Sequence, residues 1–159
     1  MGATPARIAA LEKNIAQGSL MPLPTNVQLE NRGYRLLGNT AEFVINPIAG
    51  LGVQENKIKK DPDLIKRVIR ACLRSLQLLQ SNPRETVNVL MNWTGASEKD
   101  ALRSLELAKP GFSKTGMLSD DDLGLEWGFI QQQTKKTQVP VSIAHDMTLL
   151  KEVQKELGL

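Results

Sequence analysis

Cysteine and histidine are nearly missing from this 159-residue chain, which has one of each, Cys72 and His145. A single thiol excludes an intrachain disulfide and a cysteine-rich metal site, and a single imidazole excludes paired-histidine zinc motifs. Aromatic residues are scarce at 4%, so any core must be assembled from Leu, Ile, Val and Ala. No apolar run approaches the roughly 20 residues needed to span a bilayer. The opening MGATPARIAALEKN has neither a basic stretch nor an uninterrupted apolar one, so it does not read as a signal peptide. A dominant charge is lacking too: 20 basic against 17 acidic residues leave +3. That balance argues against nucleic acid, and no basic run is interleaved with stacking aromatics. There is no nucleophile elbow, phosphate-binding loop or defensible pair of carboxylates. No enzyme activity, cofactor or metal is therefore expected.

What is present changes character near residue 57. Thr4-Pro5 reads as a cap and first-turn proline ahead of a helix through ARIAALEKN, with Ile8 and Leu11 on one face. IAQGSLM reads as a short strand stopped by the prolines of PLPTN, VQLENRG as a turn or two of helix closed by Gly33, and YRLLG as a second strand. AEFVINPIAGLGV, residues 41–53, is apolar and extended but broken by Pro47, Gly50 and Gly52. This alternation predicts an α/β fold for residues 1–56.

From Asp61-Pro62-Asp63 onward the pattern is helical. Ile65, Val68, Ile69, Cys72, Leu76 and Leu79 share one face of the first long helix, and Lys66, Arg67, Arg70 and Arg74 share another. Asn82-Pro83, Ser97 with Asp100, and Ser119 with Asp122 open three more helices, and DMTLLKEVQKELGL is the last, stopped at Gly158. Two or three short strands cannot form a stable open sheet, since ordinary sheets have about 4 to 6. The remaining strands are expected to come from elsewhere.

The order of these features resembles a family. ARIAALEKNIAQGSLMPLPTNVQLENRGYRLL is similar to the stretch of type II periplasmic substrate-binding proteins that reads R-x-x-A-L-x-x-G-x-I-D-A-x-x-x-x-x-P-x-x-x-x-x-E-x-x-G-[FY]-x-x-L. PIAGLGVQENKIKKDPDLIKRVIRACLRSLQLLQSNPRETVNVL resembles that family's return strand and two following helices, and VPVSIAHDMTLLKEVQKELGL its C-terminus. The nearest branch comprises the ABC-transporter binding proteins for nitrate, sulfonates, taurine and the thiamine pyrimidine precursor. The likeness runs over essentially the whole chain and rests on order, not on one diagnostic motif. Gln17 stands at the family's acidic position and Asn14 at a usually small one. Because such proteins run to about twice this length, the resemblance implies a C-terminal half: a partial periplasmic-binding-protein-like II fold, few strands followed by a helix-rich part. Residues 1–45 would then belong to the second ligand-binding lobe, 46–56 to a hinge or return strand, and 57–159 to the helical part of the first lobe. On the bare sequence, residues 41–53 also fit an edge strand with a bulge.

Ligands of open α/β sheets sit beyond the carboxyl ends of strands. That places Met21, Pro22, Leu23, Pro24 and Thr25 as candidate ligand-binding residues, against a plain turn. Thr4 and Arg7 open a helix whose N–H groups suit an anion, against a simple cap and a solvated charge. Asn46 is a candidate hinge ligand, against a turn-forming asparagine. The Lys66/Arg67/Arg70/Arg74 stripe reads as a solvated face or a docking surface for a membrane partner. Cys72 reads as a buried, inert thiol, His145 as a surface residue, and Asp120–Asp122 as acids complementing a helix dipole.

The resemblance implies the solute-binding component, or a fragment of one, of an ABC importer, with a small organic or anionic solute and the importer's membrane subunits as partners. It implies a periplasmic or cell-envelope location; taken alone, the absence of a leader gives a cytoplasmic one if Met1 is the start. Two alternatives stay open: a ligand-sensing or interaction module reusing the lobe, and a relative of the fungal pyrimidine synthases of thiamine biosynthesis, whose cysteine-rich stretch this chain lacks. Bare strands and uncovered apolar faces further predict self-association, exchange of elements with a copy, or pairing with a missing N-terminal half.

Overall fold

Most helices begin where local chemistry says they should. In the computed structural model the α-helices are Thr4–Glu12 (α1), Thr25–Asn31 (α2), Glu55–Lys60 (α3), Pro62–Ser81 (α4), Pro83–Thr94 (α5), Glu98–Ala108 (α6), Asp120–Thr134 (α7) and Thr148–Leu157 (α8). The structure describes residues 3–43, 49–134, 140, 142 and 145–159, except the side chain of Leu125. Asp61 caps α4, its carboxylate accepting from the Leu64 N–H at 3.2 Å. Ser97 and Ser119 accept from the N–H groups of Asp100 and Asp122 at 3.2 and 3.1 Å. Asp146 accepts from the Thr148 N–H at 2.9 Å at the start of α8. These side chains satisfy N–H groups that a helix start leaves without internal partners. At the far end of α8, Gly158 takes a φ of 71°, the left-handed stop that glycine adopts without strain.

The expected α/β architecture is not formed. Helix, short 3-10 turns included, accounts for 67% of the described residues, and no strand occurs among them. The runs expected as strands, IAQGSLM and YRLLG, are turns and irregular chain; of the third, residues 41 and 42 lie in the 3-10 helix Thr40–Glu42 and 49–53 are irregular. The physical reason is pairing. A strand exists through hydrogen bonds to a neighbour, and the N–H groups of residues 17–21 and 35–38 reach no backbone carbonyl. The start of the expected hinge, including Asn46 and Pro47, lies outside the described residues.

The chain groups into two units that interleave along the sequence. This partition differs from the 1–45, 46–56 and 57–159 division that the resemblance implies. The first unit is Met1–Asn39 with Arg84–Ala108. Within it α2 packs on α6, and Val27, Leu29, Val87, Ala101 and Leu105 are buried. Polar ties flank this contact: Arg103 grips Glu30 through Nε and a terminal nitrogen, both at 3.3 Å, and the Asn31 amide donates to Asp100 at 2.7 Å.

The second unit is Thr40–Pro83 with Lys109–Leu159. Its seam is α4 against α8. Leu73 is 2% exposed and Val153 0%. Gly116 approaches so closely that a Cβ there would lie 3.0 Å from a Leu73 methyl, and its φ of +78° also favours glycine. Lys66 pairs with Glu152 and Arg70 with Glu156 across the two helices.

This seam corrects two expectations. Half of the basic stripe is a clamp within the unit: Lys66 and Arg70 are taken by glutamates, leaving Arg67 and Arg74 exposed. Because α8 lies on the Lys66/Arg70 side, the helix turns its buried line toward Ile65, Ile69, Leu73 and Leu76. Cys72 and Val68 are left at the exposed edge. Cys72 is therefore an exposed thiol, not a buried one.

Two outcomes follow. Leu73→Ala should lower unfolding free energy by about 2–5 kcal/mol, while Cys72→Ala should change it by about 0.5 kcal/mol or less, as read from denaturant midpoints. Equal costs would return the helix to the Cys72-inward orientation. The carboxyls of Asp61 and Asp146 are held below their usual range, the first chiefly by its hydrogen bond from Lys57, the second by that from the Thr148 backbone. A depressed folded value stabilises above the unfolded pKa of about 3.9 and is lost as pH falls through the folded value. Stability should thus decline in acid below pH about 4, with a shallower decline in Asp146→Asn, measured as urea midpoint against pH.

Candidate ligand-binding site

Arg7 decides what the first unit's sequence-expected residues do together. It sits on the second turn of α1, half-buried, and its guanidinium donates to the carbonyl of Leu20 at 3.0 Å. That bond ties the start of α1 to the irregular run leading into Met21. Beyond it, Pro22 and Pro24 bend the chain into α2. The Pro22 carbonyl accepts from the Asn26 N–H at 3.2 Å and the Pro24 carbonyl from the Gln28 N–H at 3.1 Å. The Leu23–Pro24 peptide is cis. Met21, Pro24 and Thr25 are half-buried, whereas Pro22 and Leu23 are exposed.

The structure therefore ties Arg7 to the Leu20 carbonyl, just ahead of Met21–Thr25, and places Thr4 one turn earlier on the same helix. Thr4 is not the cap it was expected to be: Ala3 holds the cap position and Thr4 is the first helical residue. Asn46 lies outside the described residues. Together these residues offer a cation, two hydroxyls, from Thr4 and Thr25, and apolar side chains from Met21, Leu23 and two prolines. Such a set can orient a small molecule by a charge-assisted hydrogen bond and cover its apolar body. Among the described residues no group of three His, Cys, Asp or Glu side chains is placed to hold a metal ion.

Two features escaped sequence reasoning. Ser19, just before Leu20, has a buried hydroxyl without a hydrogen-bond partner. Nothing local announces such an orphan, because it depends on which neighbours fail to arrive. His145, expected at the surface, is half-buried, and its Nε2 is also buried without a partner. Compared with known proteins, the chain matches no protein-family profile, no curated protein and no solved structure. No described helix is long and apolar enough to cross a membrane.

Proposed function

We propose that the chain is a solute-binding component of an ABC importer, or a piece of one. In this reading it captures a small organic or anionic solute without chemistry on it and delivers it to membrane subunits. The observation that carries this reading is the Arg7–Leu20 contact. It joins Arg7, on the same helix as Thr4, to the residue just before Met21–Thr25, and the sequence resemblance supplies the solute class. The residue types suit binding over reaction: a guanidinium offers donors in a fixed fork and no acceptor, and Met21–Thr25 are apolar or hydroxylic.

A second reading, an interaction module, is favoured by Trp93, which is 83% exposed on α5. Exposed tryptophans of this kind anchor protein interfaces.

Calorimetric titration against alkanesulfonates, nitrate and pyrimidines separates the two. Saturable binding of one class is expected, with the solute recovered chemically unchanged. Arg7→Ala should weaken it by about 1.5–3 kcal/mol, the scale of a hydrogen bond to a charged group. Turnover of the bound solute, or binding that ignores the Arg7 substitution, would overturn the solute-capture reading at this site.

A further inference from the structure

We infer that residues 34–38 form the seam of a two-fold dimer, in which the run of one copy lies antiparallel to the same run of a second copy and exchanges backbone hydrogen bonds with it. The run is unpaired but not shapeless. Tyr34 and Leu36 are half-buried, whereas Arg35, Leu37 and Gly38 are exposed, with Leu37 at 79%. This is the alternation of an extended segment that has one side against its own unit and the other side bare. Past Tyr34, whose N–H reaches the Leu29 carbonyl at 3.0 Å, the N–H groups of residues 35–38 have no partner. An extended run with open donors and acceptors is a template for another chain.

The run suits its own copy better than a generic partner. With a two-fold axis through Leu36, residue 35 faces 37 of the other copy and residue 34 faces 38. Arg35, the one charge in the run, then lies opposite Leu37 and not opposite its own counterpart. Like charges do not meet, and the arginine stem can cover the exposed leucine while its guanidinium stays in water. Gly38 faces Tyr34 without a side chain in the way. A two-fold contact uses the same patch twice, and this patch is self-complementary. The chain's formal charge of +3 is small enough that two copies repel weakly.

Ile15 and Leu20, 74% and 64% exposed in the same unit, add apolar surface of the kind such an interface removes from water.

This inference does not depend on any solute. Static light scattering over a dilution series tests it, and the wild-type chain should converge on twice 17.5 kDa. Leu37→Lys should raise the dissociation constant by about thirtyfold or more, the scale of a central interface side chain. Leu37→Ile should leave it nearly unchanged. Leu51→Lys, an equally radical change at an exposed leucine of the other unit, should also dimerise as wild type does. Helix content by circular dichroism should be the same in all four, because the substituted side chains are exposed. A wild-type monomer at every concentration, open-ended aggregation, or Leu37→Lys dimerising as wild type does would each overturn the seam.

Discussion

An α-helix satisfies its backbone within itself, whereas an extended run satisfies nothing until a neighbour arrives. The organisation of this chain follows from that asymmetry. Where capping residues and amphipathic spacing coincide, helices form and find each other: α2 on α6 in one unit, α4 on α8 in the other. Where the sequence is extended and apolar, no second run pairs with it among the described residues, and leucines and isoleucines remain in water. Among the described residues the large apolar side chains left exposed, Ile15, Leu20, Leu37 and Leu51 among them, lie partly on those same runs.

Within the second unit, packing outweighs charge in holding α4 to α8. Burying a side chain such as Leu73 or Val153 contributes about 1.5–3 kcal/mol, while exposed ion pairs contribute about 0–1 kcal/mol each. The Lys66–Glu152 and Arg70–Glu156 pairs matter more as a register. They fix which edge of α4 faces α8 and so leave Cys72 outside. In the first unit, Arg103–Glu30 and Asn31–Asp100 hold α2 and α6 in the same manner. Arg7 then ties α1 to the turn that precedes α2.

The helix starts were legible because they are local. Asp61-Pro62, Ser97 and Ser119 carry their own acceptors within three residues. The buried line of α4 was not legible to the residue, because Cys72 and Leu73 are both apolar enough and only the position of α8 chooses between them. IAQGSLM and YRLLG were misread as strands for a related reason: composition reports the tendency to extend, and a strand also needs a partner. Of the candidate site, Arg7 and the Met21–Thr25 turn were named from sequence. The bond that joins them is to a carbonyl, which no residue type announces.

Helices thus close on each other, while the extended runs stay bare until something pairs with them. Amide hydrogen exchange on the chain at a dilution where it is monomeric tests this most directly. The slowest amides should lie in α4 and α8 around Leu73 and Val153, and residues 17–21 and 35–38 should exchange at nearly the rate of unstructured peptide. Strong protection of those two runs in the monomer would contradict it, since their backbones would then have found partners within the chain.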